Sequence, residues 1–227
     1  MSGNKVRKLE FLLAEALERG SDCVVTIGGI QSNHARATAV AAREVGMEPF
    51  LLLRVATVPT AAELQGAFVG NLLVDRLVGS TVRMFTAAQR DSAGGNDALI
   101  DRWAKEIESG GTGQQRGRRP YAIPMGGSNA VWSWGYIECA REIAAQCGVG
   151  TRLEVDDVVV ACGSGGTLAG IGLGIYHVFG GAVKVHGVCV CDDAKYFYDA
   201  ADAILSDLHA GVRSREIVNV IEGYVGL

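Results

Sequence analysis

The chain has 227 residues, 48% of them hydrophobic and 20% charged, a globular composition long enough for one large or two small domains and unlike that of a disordered chain. A formal net charge of −4, with the densest basic run confined to residues 116–119 in a Gly/Gln-rich stretch, argues against nucleic acid and anionic membrane as partners. Glycine is used about twice as often as is ordinary and proline is scarce, so the glycines are expected to mark tight loops beside strands and helices.

Taken from the start, Val6, Leu9, Leu12, Leu13, Ala16 and Leu17 recur at helical spacing, with Asn4 placed to cap the helix and Gly20 to end it. Lys5 then falls in the first turn. Residues 23–27 form a short apolar strand, followed by a loop, Gly28 to Asn33, and an alanine-rich helix closed by Gly46. Residues 50–53 read as a second strand, 64–77 as a helix, 81–85 as a third strand and 97–108 as another helix. Units of this alternation favour a parallel sheet with right-handed crossovers. Between 109 and 119 the apolar periodicity stops, which places a loop or domain boundary there. Residues 121–124 form a strand running into Gly126 and Gly127, then a helix to about 147 with Trp132, Tyr136, Ile137, Ala140 and Ile143 on its apolar face. Residues 157–162 read as a buried strand, 163–167 as a glycine loop, 168–178 as a helix, 183–190 as a strand, about 194–209 as a helix and 217–221 as a strand-like run.

The six cysteines include no C-x-x-C pair and the four histidines have no metal-ligand spacing, so reduced thiols and no metal are expected. Cys189 and Cys191, two apart in an apolar run, are expected to share a buried strand face. No stretch approaches a transmembrane span, and the N-terminus shows no signal-peptide core.

Three segments carry possible chemistry. The loop Gly163-Ser164-Gly165-Gly166-Thr167, between a strand and a helix, exposes successive N–H groups at a helix N-terminus and suits an anion, most often phosphate. It lacks the third glycine of a dinucleotide fingerprint, since Leu168 stands there, and it lacks the Lys-Ser/Thr of a nucleotide P-loop. A phosphate monoester held by N–H groups and by the Ser164 and Thr167 hydroxyls fits best; a turn serving packing alone is the alternative. The loop ending Gln31-Ser32-Asn33-His34 concentrates donors and acceptors at a helix start, more than one cap requires, and would hold a carboxylate at Ser32 while Asn33 hydrogen-bonds a ring oxygen. Lys5 in a first turn beside Gly3 would, by position alone, be a solvated charge.

Together, and in this order, the segments SGNKVRKLE (2–10), IGGIQSNHARATAVAA (27–42), GGSNAVWSWGYIECAREI (126–143) and ACGSGGTLAGI (161–171) resemble the family of D-cysteine desulfhydrases and aminocyclopropane-carboxylate deaminases. The resemblance runs from residue 2 to the end of the chain; the first two segments are specific to the family, and the glycine loop is shared across its fold. It implies a two-lobed α/β enzyme of pyridoxal-phosphate fold type II, tryptophan-synthase-β-like, with parallel-rich sheets flanked by helices. Residues 1–8 with 120–227 would form the large cofactor-bearing lobe, and 9–119 a small lobe inserted into it. Lys5 would be the Schiff-base lysine and Asn33 would bond the phenolic oxygen of pyridoxal 5'-phosphate. Gly163, Ser164, Gly165, Gly166 and Thr167 would hold its phosphate. Ser32, Asn33 and the backbone around His34 would bind the substrate, Ser32 also serving catalysis.

In this family the chain normally begins well before the lysine motif and continues past residues 222–226. The sequence is therefore expected to be a piece incomplete at both termini, without the C-terminal tyrosines and the partner of the pyridine nitrogen; Tyr224 only neighbours that region. The implied reaction is β-elimination on D-cysteine to sulfide, pyruvate and ammonia, with Lys5 as base for the α-proton. Cyclopropane ring opening is the alternative, disfavoured because His34 stands where deaminases tend to carry glutamine; a catalytically impaired cofactor-binding remnant is the alternative of another class. A homodimer acting on a small amino acid is implied. The protein is expected to be soluble, in the cytoplasm or an organelle, the mitochondrion included, with no targeting segment visible.

Overall fold

A computed structural model of the chain describes residues 3–60, 63, 69–110, 117–127, 130–147 and 155–224. Ser2, Ser128 and Asn129 of the motifs lie outside these residues, as does 64–68 of the helix expected over 64–77. The chain divides into two compact units, Met1–Gly127 and Ser128–Leu227.

In the first unit helix α1 (Lys5–Glu18) turns its Leu9, Leu12, Leu13 and Ala16 inward, as the periodicity predicts. Asn4 occupies the N-cap position, but its side chain makes no capping bond. Strands β1 (Cys23–Gly29), β2 (Glu48–Arg54), β3 (Thr81–Phe85) and β4 (Pro120–Ile123) form an all-parallel sheet of order β3-β2-β1-β4. Cys23 lies opposite both Glu48 and Pro120, which places β1 inside the sheet, and it is buried from Cys23 to Gly28. A parallel strand covered on both faces has no solvent side to carry polar residues, which is why β1 and β2 read as nearly unbroken apolar runs.

The other helices of this unit are α2 (Asn33–Glu44), α3 (Gly70–Leu77), α4 (Ala87–Ala93) and α5 (Asn96–Glu108). Side chains of β2 alternate between the two faces. Phe50 and Leu52 pack with Ile100, Trp103 and Ile107 of α5, while Leu51 and Leu53 pack with Ala35 and Ala39 of α2 and Leu72 of α3. Helix α4 has no buried residue and so leaves no periodicity to read in the sequence; a Thr86–Gln89 capping box starts it and Gly94, at φ 91°, ends it.

Strand β4 hydrogen-bonds to β1, and Lys5 and Lys8 belong to the same continuous helix as Leu9 and Leu12. Residues 1–8 and 120–127 are thus part of the first unit, whereas the resemblance implies their grouping with 128–227. The two compact units divide between 127 and 128.

In the second unit β5 (Asp157–Cys162), β6 (Lys184–Cys189) and β7 (Asn219–Ile221) form a parallel sheet of order β5-β6-β7, with helices α6 (Ala130–Gln146), α7 (Gly166–Phe179), α8 (Ala194–Asp207) and α9 (Ser214–Ile217). The expectation of a buried β5 is corrected: among the described residues it is an outer strand, Val159 is 64% exposed and only Cys162 is buried. The first part of the strand-like run over 217–221 closes α9, so only 219–221 pairs with β6. Cys189 is buried at the end of β6, but Cys191 lies beyond that strand and is exposed, so the two share no strand face; both are free thiols.

Helix α7 is buried from Leu168 to Ile175, and three of its glycines form a seam against α6. A Cβ at Gly166 would lie 1.6 Å from the Trp132 ring, one at Gly170 2.8 Å from Tyr136 Cβ, and one at Gly174 2.7 Å from Ala140 Cβ and 2.9 Å from Ile137 Cα. Spaced four apart, they give one face of α7 no side chains, and the two helices approach to backbone contact. Gly174→Val, which drives three heavy atoms into this contact, is expected to destabilise the fold by about 2 kcal/mol or more, read as a lowered midpoint in denaturant unfolding followed by circular dichroism.

Candidate active site

The first constellation belongs wholly to the first unit and is organised by the C-terminal end of β1. The chain turns there through Gly28 and Gly29, and a Cβ on Gly28 would fall 2.6 Å from the Ser32 side chain, so the turn closes only over glycine. Ser32 N donates to Gly29 O at 2.9 Å. As N-cap of α2, the Ser32 hydroxyl accepts from Ala35 N at 3.1 Å, and the Ser32 carbonyl accepts from Arg36 N at 3.2 Å. The hydroxyl hydrogen is not used by that cap. The N–H groups of Asn33 and His34 precede the first intrahelical acceptors and have no partner among the described residues. A carboxylate placed here meets a hydroxyl donor, two N–H groups and the positive end of a helix dipole.

Three side chains frame this terminus. The Asn33 side chain is exposed, and its Oδ1 accepts from Asn71 Nδ2 at 3.0 Å, which leaves its amide hydrogens outward. The His34 ring is 3% exposed and turned inward, its Nε2 3.1 Å from Thr26 Oγ1. The Thr26 hydroxyl gives its one hydrogen to Ile123 O at 3.0 Å, so toward His34 it acts as acceptor and the imidazole carries its proton on Nε2. Nδ1 is buried without a partner among the described residues. Burial, with the charges of Lys5 and Lys8 behind it, pushes the His34 pKa down to about 3, so the ring is neutral. What His34 offers a ligand is its backbone N–H.

Lys5, the first residue of α1, is half-buried, and burial lowers its pKa from the ordinary 10.5. One turn on, Lys8 is fully buried and its Nζ donates to Gly126 O at 3.1 Å. Burial, then the charge of Lys5, brings the Lys8 pKa to about 6. A lysine amine is a nucleophile only when neutral, and this end of the unit favours the neutral form at both positions.

The second constellation lies in the second unit. Strand β5 ends at the buried Cys162, whose carbonyl accepts from Val190 N at 3.2 Å, and the chain turns through the exposed Gly163, the half-buried Ser164 and Gly165 at φ 74°. Helix α7 starts at Gly166, earlier than the sequence predicts, so Gly166 and Thr167 form its first turn and not the loop. Gly163 O accepts from Cys191 Sγ at 3.4 Å. Ser164 and Thr167 bring hydroxyls to the helix N-terminus, where a phosphate is well matched. Asn71 and Lys8 are the functional candidates that sequence reasoning missed. Lys8 follows Lys5 by three positions, the one available signal, whereas Asn71 is 38 residues from the side chain it contacts.

Among the described residues no group of three His, Cys, Asp or Glu side chains is placed to hold a metal, and no helix is long and apolar enough to cross a membrane.

Residues 1–227 match the family described as pyridoxal-phosphate dependent enzyme. The chain is 50% identical over 223 residues, 97% of its length and 53% of the relative's, to a bifunctional D-cysteine desulfhydrase/1-aminocyclopropane-1-carboxylate deaminase, mitochondrial, of Arabidopsis thaliana. It is 43% identical over 175 residues, 77% of its length and 49% of the relative's, to a D-cysteine desulfhydrase of Klebsiella pneumoniae. The crystal structure of an ACC deaminase homologue superposes with a TM-score of 0.77 at 30% identity over 98% of this chain and 62% of that one. The chain spans about half the length of these two curated relatives.

Buried Lys8 predicts a measurable proton linkage. Unfolded, its amine keeps its proton up to the ordinary 10.5; folded, it loses it at about 6. Between these values the unfolded chain holds the extra proton, so the Lys8 contribution to stability rises with pH, by up to about 1.4 kcal/mol per pH unit. Asp75, Cys23 and Tyr121 are shifted upward and have slopes of their own, so the difference between wild type and Lys8→Met isolates the lysine. Denaturant unfolding at several pH values is expected to show Lys8→Met at its greatest relative advantage in acid, with that advantage shrinking steadily as the solution is made alkaline.

Proposed function

Because the chain belongs to the pyridoxal-phosphate dependent enzyme family, we propose that the protein it represents eliminates sulfide from D-cysteine, the overall reaction being D-cysteine plus water to sulfide, pyruvate and ammonia. The observation that carries this reading is the half-buried Lys5 amine, biased toward its neutral form at the head of α1, within a chain half-identical to a named desulfhydrase.

The residues present fit the cofactor. A nucleophilic amine suits its carbonyl carbon, and a helix N-terminus with two hydroxyls and little side-chain bulk suits its phosphate. When bound, the cofactor supplies an electron sink for the carbon that loses its proton. Lys5 would hold it covalently and, once released by the incoming amino acid, take the α-proton onto Nζ. Gly163, Ser164, Gly165, Gly166 and Thr167 would hold the phosphate. Asn33 would donate its amide hydrogen to the ring oxygen. Ser32, through its hydroxyl, and Asn33 and His34, through their N–H groups, would orient the substrate carboxylate. Neutral His34 adds no positive charge there, so hydrogen bonds and the helix terminus do the orienting.

The proposal extends to a homodimer working on a small amino acid, in the cytoplasm or an organelle such as the mitochondrion, and to the two-lobe grouping of 1–8 with 120–227 about an inserted 9–119. Ring opening of 1-aminocyclopropane-1-carboxylate is the second reading, favoured by the bifunctional name of the Arabidopsis relative.

Borohydride reduction of the holoenzyme, followed by peptide mapping, is expected to find the pyridoxyl group on Lys5; a label on Lys8, Lys105, Lys184 or Lys195 overturns the assignment. With both substrates assayed on one preparation, sulfide from D-cysteine is expected to form faster than 2-oxobutanoate from the cyclopropane. The reverse order moves the protein to the second reading.

A further inference from the structure

The loop that carries Ser32, Asn33 and His34 is held by a segment far from it in sequence. Gln31 Nε2 donates to Val69 O at 3.1 Å, and its Oε1 accepts from Asn71 N at 2.8 Å, so one carboxamide pairs with the backbone on both sides of Gly70. A Cβ on Gly70 would lie 2.4 Å from Gln31 Oε1, and Gly70 has φ 59°, so the pairing needs glycine for both space and backbone conformation. From the other side, Asn71 Nδ2 donates twice, to Gln31 O at 2.8 Å and to Asn33 Oδ1 at 3.0 Å.

The last of these bonds decides which end of the Asn33 amide faces outward. A carboxamide presents either an acceptor or a donor, and the two differ by a half-turn. With Oδ1 taken by Asn71, the exposed end is the NH2. The orientation of Asn71 is itself fixed by backbone: its Nδ2 must face the Gln31 carbonyl, an acceptor only, because its own oxygen would meet lone pairs there.

We propose that Asn71 is a positioning residue that locks Asn33 with its NH2 toward the cofactor's ring oxygen, with Gly70 and Gln31 holding Asn71 in place. The inference rests on the reading that Asn33 contacts that oxygen. Donation to a phenolate oxygen draws charge from it and weakens its hold on a neighbouring imine proton, so a correctly turned Asn33 lowers the pH at which the bound cofactor's visible absorbance titrates, and a freely rotating one leaves it higher.

The test is a double-mutant cycle on the holoenzyme with Asn33→Ala, Asn71→Ala and the double variant, each titrated by the visible absorbance of the bound cofactor, with thermal unfolding alongside. Asn33→Ala is expected to raise the midpoint, Asn71→Ala to raise it by at least half as much, on the order of half a pH unit, and the double variant to go no higher than Asn33→Ala alone. A merely structural Asn71 would lower the melting temperature and leave the midpoint in place, and that result overturns the inference. Additive shifts overturn it as well, since Asn71 would then act by a path that bypasses Asn33. If Asn33→Ala itself leaves the midpoint unmoved, the cofactor contact is wrong and the inference falls with it, a result distinct from the other two. Should Asn71→Ala lose cooperative unfolding, Asn71→Ser takes its place in the cycle under the same criteria.

Discussion

A protonated amine taken out of water is costly for a folded protein to keep, so burial favours the neutral form of a lysine. Lys8 is fully buried, and its amine rests on the Gly126 carbonyl, an acceptor that can bond the neutral form. That one placement ties the start of α1 to the turn that follows β4, and it sets the electrostatics around the C-terminal ends of β1 and β4. Lys5, three residues earlier, is only half-buried, and its charge disfavours one on Lys8. His34, with both amines behind it, stays neutral and donates its Nε2 hydrogen in a bond to Thr26 Oγ1. The donors that face outward are then hydroxyl, amide and N–H groups, whose directions are set by neighbouring hydrogen bonds and the helix terminus and not by mobile charges.

The second unit solves a different problem. To present N–H groups at the head of α7, the helix must be pinned along its length, and it is pinned by having no side chains on one face. Gly166, Gly170 and Gly174 admit α6 to contact distance, and Gly166 accommodates the Trp132 ring at the first turn itself. The loop glycines therefore serve two ends: Gly165 provides the left-handed turn, while Gly166 belongs to the packing as much as to the anion site.

Much of this was legible in the sequence because parallel strands buried on both faces have no other way to be written. β1 and β2, buried along nearly their whole length, contain the apolar runs at 23–27 and 50–53, and the helices α1, α2, α5 and α6 follow their periodicity within a residue or two. The illegible parts share a cause. Helix α4 buries nothing, so no pattern marks it; β5 is apolar yet exposed, because composition does not say which strand is outermost; and Lys8 is buried although its residue type is ordinarily solvated. At the site, the Ser32–His34 cluster could be read as polar groups at a helix start, but the direction each group faces depends on Thr26, Asn71 and Ile123, which are near only in three dimensions.

The pairing of Gln31 with the backbone around Gly70 couples two distant stretches of chain. Any residue larger than glycine at 70 would collide with the carboxamide, and any side chain at 31 unable both to donate and to accept would strand Val69 O or Asn71 N. A substitution at 31, 70 or 71 therefore reaches the other two through these bonds. The β1–α2 loop and the head of α3 thus act mechanically as one piece, although 38 residues separate Gly70 from Ser32 along the chain.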